Sequence, residues 1–181
     1  MQLYTRKGDD GTTGLLYGGR VRKDAPSVEA NGAVDEAQAA VGLARAEVER
    51  GSEVDSLLTR VEHDLYVLMA ELATSAANRH KLVADQTLVT ADMVTRLEVA
   101  VDGIGARFPM PTEFVIPGQD RLSALLDLAR TIVRRAERLA LTAAAPESKV
   151  VPYLNRLSTL LWAMARWQEH GASLTSRSVV A

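Results

Sequence analysis

The 181-residue chain has no cysteine, which excludes disulfides, thiolate metal sites and cysteine nucleophiles. Histidine is scarce too: His63, His80 and His170 are the only three, and none stands at metal-ligand spacing. Aromatic residues make up 4% of the chain, and only a few short stretches read as strand. Nowhere do about eighteen apolar residues run together, so no segment is expected to span a membrane. No apolar run follows the charges of MQLYTRKGDD, so no secretory signal is expected there. A net charge of −2 gives no support for general nucleic-acid affinity, which needs a basic surface to displace counterions. The expectation left by these absences is a soluble, cytoplasmic protein.

Hydrophobic residues at 47% suffice for one domain with a sizeable core. From Pro26 onward the punctuation predicts helices: about Pro26 to Arg50, with Asp24 and Ser27 offering caps; Ser52, answered by Asp55, to about Arg79; and Thr90 to about Arg107. The proline-rich PMPTEFVIPGQD is a loop, followed by helices over about Gln119 to Ala144 and Val151 to His170, where Gly171 stops the last. Gly32 and Gly42 inside the first helix suggest a closely packed neighbour or a ligand. On the fourth, Leu122, Leu125, Ala129, Ile132, Ala136 and Leu139 form the expected core seam; on the fifth, Leu154, Leu157, Leu161 and Met164 do. The fold class is all-α: a five-helix bundle in a ferritin-like up-down arrangement over residues 25–171. Residues 1–24 form an N-terminal arm, and 172–181 a tail expected to fray.

Two polar features stand apart from this core. Asp127, Arg130, Arg134 and Glu137 fall within an arc of about 80° on the fourth helix, flanked by Arg135 and Arg138, nearly opposite the apolar seam. The stripe fits either a solvated face with i,i+4 pairs or an anion site, since guanidinium forks match phosphate oxygens. Asn155, Thr159, Trp162 and Arg166 form a comparable stripe on the fifth helix. The arm holds five of the twelve glycines (Gly8, Gly11, Gly14, Gly18, Gly19) among Thr5, Thr12, Thr13, Arg6, Lys7, Arg20, Arg22 and Lys23. Glycines allow positive φ and concave N–H nests, and Asp9 or Asp10 could hold magnesium. A polyphosphate cradle and a flexible glycine-rich tail, with a hairpin at Asp10-Gly11, both fit. It is no P-loop, because GxxxxGK[ST] is absent.

The ordered segments TRKGDDGTTGL, VEANGAVDEAQAAVG, FVIPG, ARTIVRRAER and LNRLS resemble the PduO-type ATP:cob(I)alamin adenosyltransferases, from Tyr4 to about Arg166. The resemblance implies a homotrimer that binds ATP and corrinoid between subunits and forms adenosylcobalamin and triphosphate. It assigns Thr5, Arg6, Gly8, Asp9, Gly11, Thr13 and Lys23, with Lys7 and Gly14 beside them, to the nucleotide or its metal. It places Arg134 and Glu137 at the triphosphate and the bound Mg²⁺ or adenosine, flanked by Arg135 and Arg138, with Arg130 one turn earlier. It pairs Asp35 with Arg130 across the subunit boundary, gives Asn155 a hydrogen bond to the nucleotide, and sets Phe114 under the corrin ring. Arg130, Arg134 and Asp35 form the implied catalytic set.

Cobalt(I) is the nucleophile in that chemistry, so no side-chain nucleophile or general base is needed, in keeping with the missing cysteine. The family commonly has tyrosine at Asn31, asparagine at Gln38, glycine at Gln119, histidine at Asp127 and aspartate at Thr159. Gln119 and Thr159 lie in the corrinoid-side segments, whereas the ATP set is intact. This leaves as alternatives a non-catalytic ATP or adenosylcobalamin sensor or delivery module, and a helical interaction protein with a disordered arm. An electron-donating reductase and an adenosylcobalamin-dependent enzyme are the partners implied.

Overall fold

Proline opens α1 (Pro26–Arg45), where its fixed φ suits the first helical turn and its missing N–H leaves nothing unsatisfied. The computed structural model describes residues 4–177. The expected cap by Asp24 or Ser27 is not used: Ala25 is the N-cap, and Asp24 is held by Arg22 at 2.6 Å. The helix ends at Arg45 instead of Arg50, because the Arg45 guanidinium reaches across to Asp55 and Glu62, both at 2.8 Å, and the chain reverses through Gly51 at φ 80°. Ser52 caps α2 (Glu53–Leu72) by accepting the Asp55 N–H, as expected. The Asp55 carboxylate takes Arg45 and the Gly51 N–H and does not answer the cap.

Helix α2 stops at Leu72, well short of Arg79. The Leu16 N–H from the arm donates to the Ala73 carbonyl at 2.9 Å, and Leu16 and Thr74 form a short β-bridge, so the chain there is extended. Residues Ala76–Lys81 continue only as a 3₁₀ helix. Thr90 caps α3 (Ala91–Gly105) through the Met93 N–H, and Asp120 caps α4 (Arg121–Ala143) through the Ser123 N–H at 2.9 Å. Helix α5 (Val150–Gln168) ends ahead of Gly171, whose φ of 81° only glycine adopts freely.

Pairs between helices give their directions. Asn31 with Met69, Gln38 with Glu62 and Arg45 with Asp55 run in opposite numbering along α1 and α2, so the two are antiparallel. Arg135 with Glu36 and Arg121 with Glu47 set α4 antiparallel to α1, and Asn155 with Glu137 and Arg166 with Asp127 set α5 antiparallel to α4. Leu154, Leu157, Leu161 and Met164 are fully buried, as the α5 pattern requires.

The α4 seam differs from expectation. Its buried line is Leu126, Ala129, Val133, Ala136 and Ala140, while Leu122, Leu125, Ile132 and Leu139 pack at its edge. Helix α1 presents Ala33, Ala37, Ala40 and Ala44 to the core, and α1 with α4 is the most extensive helix pairing. Small side chains let backbones approach, so the alanine-lined face of α4 turns inward and the larger leucines fill the margins. Of the two α1 glycines, Gly42 is tightly packed, since a Cβ there would lie 3.3 Å from Glu62 Oε1, whereas Gly32 faces open space. The described part of the tail is not frayed. The Ser176 N–H donates to the Phe114 carbonyl at 2.9 Å, and the Ile116 N–H to the Leu174 carbonyl at 2.8 Å. Residues 178–181 lie outside the described residues.

Candidate functional site

The arm is a folded hairpin, not a loose tail. Strands β1 (Thr12–Gly14) and β2 (Arg20–Arg22) pair antiparallel, Thr13 opposite Val21. The reversal is not at Asp10-Gly11 but over residues 15–19, where Gly18 and Gly19 take φ of 98° and 94°. Asp10 instead accepts the Thr12 N–H at 2.9 Å and the Thr12 hydroxyl at 2.8 Å, and these bonds hold its carboxyl below the usual range. The Arg20 guanidinium binds Thr12 Oγ1 and the Lys7 carbonyl, both at 2.6 Å, and so ties the loop before β1 to the hairpin. The Lys23 N–H donates to the Gly11 carbonyl at 2.9 Å. A Cβ on Gly8 would come within 3.1 Å of Lys23 Nζ, so glycine leaves the space in which the ammonium lies against the loop. Gly8, Gly11 and Lys23 are therefore brought together, and Thr5, Arg6, Lys7 and Asp9 stand exposed beside them. Thr13 and Gly14, with Leu15, Ser27, Asn31 and Leu72, line a cavity of about 100 Å³ between hairpin, α1 and α2.

On α4 the stripe divides. Arg134 is exposed, and its guanidinium has no partner among the described residues. Arg135 is committed to an ion pair with Glu36 of α1, and Arg138 Nη1 donates to the Arg134 carbonyl at 3.1 Å. Glu137 Oε1 accepts from Asn155 Nδ2 at 2.8 Å, so these two predicted site residues meet across α4 and α5. Arg130 Nε donates to Asp127 Oδ1 at 2.8 Å. Asp35 is exposed, and among the described residues it makes no ion pair with Arg130 in the same protomer.

Neither Asp127 nor Arg166 belongs to an outward face. They are 3% and 2% exposed and join at 2.6 Å between α4 and α5, with Glu169 also on Arg166 at 2.8 Å. Burial is tolerated because each charge meets an opposite one. Sequence reasoning missed this cluster. The available signal was the i,i+3 spacing of Asp127 with Arg130 and of Arg166 with Glu169. Trp162 is half-buried and meets Phe108 edge-on at 6.2 Å, so it packs at the rim.

Phe114 is 88% exposed on a loop whose flank holds a cavity of about 350 Å³, lined by Pro111, Thr112, Glu113, Val115 and Trp162. This loop leads into the N-terminus of α4. The arm leads into α1, whose N-terminal end lies beside the C-terminal end of antiparallel α4. The 23 residues of α4 span about 35 Å. Arm and Phe114 loop thus sit at opposite ends of one protomer. Among the described residues no hydrogen bond or ion pair joins the arm to α4. The arrangement offers cations and N–H donors suited to a polyphosphate, and a solvent-facing aromatic ring suited to a flat apolar surface.

Residues 3–168 match the family model described as cobalamin adenosyltransferase. The corrinoid adenosyltransferase of Mycobacterium tuberculosis strain H37Rv is 41% identical over 170 residues, covering 91% of this chain and 87% of that protein. The Bacillus subtilis corrinoid adenosyltransferase is 38% identical over 173 residues, 92% and 86% of the two chains. Among solved structures, a variant PduO-type ATP:corrinoid adenosyltransferase from Lactobacillus reuteri complexed with cobalamin and ATP superposes with a TM-score of 0.85 at 27% identity, covering 97% of each chain. The chain belongs to the cobalamin adenosyltransferase family and is an enzyme that transfers the adenosyl group of ATP to cobalamin.

Proposed function

We propose that the active site is assembled between neighbouring subunits of a homotrimer of five-helix bundles. One subunit supplies the arm, with Thr5, Arg6, Gly8, Asp9, Gly11, Thr13 and Lys23. The next supplies Arg130, Arg134, Glu137 and Asn155 from α4 and α5. The observation that carries this reading is the separation of parts: among the described residues, no hydrogen bond or ion pair joins the arm to the exposed Arg134 guanidinium within one chain. A heterologous contact repeated around a threefold axis brings such surfaces together without open ends.

Cobalt(I) of the corrinoid attacks the ribose 5′ carbon, and the C5′–O bond breaks with its electron pair leaving on the triphosphate. The protein's task is orientation and stabilisation of the charge that grows on that leaving group. Lys23, Arg134 and the N–H groups of the glycine loop supply the positive field, with Lys7 and Arg138 at its margin. The Arg135 ion pair with Glu36 gives it the role of holding α4 against α1 instead. Asp35 of one subunit meets Arg130 of the next. Phe114 covers one face of the corrin ring.

Magnesium fits this site as a passenger of the nucleotide. Glu137 has one oxygen on Asn155, while its second has no hydrogen bond among the described residues. No cluster of three metal-ligating side chains occurs among the described residues. One carboxylate plus phosphate oxygens is the usual donor set for this ion, and it supplies charge neutralisation on the triphosphate when bound.

Mixing two inactive proteins tests the shared site. Lys23→Ala and Arg134→Ala homotrimers, after subunit exchange, form some interfaces with an intact arm facing an intact α4. Random exchange restores about one quarter of wild-type activity if each site draws on two chains. No recovery despite exchange verified by mass spectrometry places both residues in one chain's site and refutes the reading.

A further inference from the structure

We propose that Asp127 is a positioning residue, through which a buried charge cluster sets the aim of Arg130. The inference rests on the reading that Arg130 faces the shared site. The two oxygens of the Asp127 carboxylate serve two arginines: Oδ1 accepts from Arg130 Nε at 2.8 Å and Oδ2 from Arg166 Nη2 at 2.6 Å. Arg166 is held in turn by Glu169 Oε1 at 2.8 Å and lies over the Trp162 ring at 5.9 Å. The second oxygen of Glu169 takes the Ser173 hydroxyl. Two cations and two anions make the cluster neutral, which is the condition for burying it.

Stability alone does not account for the arrangement. A well-packed apolar set of similar volume commonly serves a core as well as a buried ion cluster does, and this cluster leaves Arg166 Nε without a partner. What apolar packing cannot do is fix the plane of a guanidinium. Side-chain exposure is 4% for Asp127, 2% for Arg166 and 0% for Glu169, against 24% for Arg130. Arg130 is thus the one member that reaches the surface. With Nε tied to Asp127, its planar fork is oriented, and its two terminal nitrogens have no partner among the described residues. The cluster has a single outlet, a guanidinium pre-aimed to donate hydrogen bonds across the subunit boundary, where the proposed site sets Asp35 of the next chain.

The test is a double-mutant cycle between Asp127→Asn and Arg130→Ala, read as kcat and as KM for ATP in the anaerobic cob(I)alamin assay. Asp127→Asn is expected to lower kcat by about 10- to 100-fold with KM for ATP within about threefold, because misaim removes stabilisation in the transition state and not binding. In the Arg130→Ala background the same substitution is expected to change kcat by less than about twofold, since its effect travels through the missing guanidinium. An equal fall in both backgrounds marks Asp127 as a general structural residue and overturns the proposal, as does a wild-type kcat for Asp127→Asn beside a slow Arg130→Ala. A wild-type kcat for Arg130→Ala itself instead removes Arg130 from the site. Should Asp127→Asn fold poorly, the combined Asp127→Leu, Arg166→Met and Glu169→Gln protein removes the three fully buried charges and keeps only Arg130, which reaches the surface. It is expected to fold with an unchanged oligomeric state and show the same low kcat, and a wild-type kcat in it also overturns the proposal.

Discussion

Replacing Arg134 with alanine separates a functional arginine from a structural one. The side chain is exposed and its guanidinium is unpartnered within the protomer among the described residues. The bond from Arg138 Nη1 falls on the Arg134 main-chain carbonyl, which alanine retains. Alanine is also a slightly better helix former, so the unfolding midpoint should move by no more than about 2 °C. Activity should behave differently. A guanidinium fork making two charge-assisted bonds to a leaving triphosphate contributes about 1.5 to 3 kcal/mol per bond. Loss of the part realised only as charge develops, about 3 to 4 kcal/mol, lowers kcat by about 100- to 1000-fold. Arg134→Lys keeps the charge without the fork and should fall between. The assay is conversion of the cob(I)alamin spectrum to that of adenosylcobalamin under anaerobic conditions, with thermal unfolding and size-exclusion chromatography alongside. Turnover within about threefold of wild type, or a collapse of the fold or oligomer, would refute the reasoning.

Other substitutions probe the arm, the corrin-side loop and the core. Phe114→Ala removes an 88% exposed ring, so stability should change by less than about 0.5 kcal/mol while corrinoid turnover falls at least about 10-fold and ATP affinity holds; unchanged turnover removes Phe114 from the site. Leu16→Pro deletes the N–H that docks the arm on Ala73, and it should raise KM for ATP about 10-fold and expose the arm to limited proteolysis; unchanged cleavage would show that other contacts hold the arm. Asp64 is buried and accepts the Tyr153 hydroxyl at 3.0 Å, and burial raises its carboxyl above the ordinary range. The folded state therefore keeps this proton to higher pH than the unfolded chain. The associated stability is full below the unfolded value near pH 3.9 and lost as pH rises through the folded value. Asp64→Asn cannot ionise, so its melting temperature relative to wild type should be higher at pH 7 than at pH 4; a pH-independent difference would contradict the assignment.

Local signals were legible where local chemistry decides the outcome. Ser52 and Thr90 cap their helices through N–H groups three residues on, Gly171 follows the last helix in a left-handed conformation, and the α5 leucines face inward. The grouping of glycine, threonine and lysine in the arm was visible as composition. The misreadings share a cause, which is distance along the chain. Helix α2 ends at Leu72 because Leu16 takes the Ala73 carbonyl, and no window of sequence around Arg79 contains Leu16. The α4 seam turns toward alanines because α1, the helix it meets, is alanine-lined. Periodicity alone favours the larger residues, and the face that closes best wins. The tail looked free because its partner, the loop carrying Phe114, lies some sixty positions earlier.

The arginines of α4 show why a charge stripe is legible while its division of labour is not. Four arginines within nine residues look alike on a helical wheel. In the folded chain Arg135 is occupied by Glu36 and Arg130 is anchored by one nitrogen; among the described residues, the other two nitrogens of Arg130 and the Arg134 guanidinium have no partner. An anion arriving at this face gains most from a guanidinium that has no carboxylate to give up, and from one already held in plane. It gains less from Arg135, because the new contact first displaces an existing half-exposed pair worth up to about 1 kcal/mol. Which arginine serves the ligand is thus set by nearby carboxylates: Glu36 of α1 removes one candidate, and Asp127, one turn earlier on α4, orients another. The specificity of the stripe for phosphate resides as much in those two acids as in the arginines themselves.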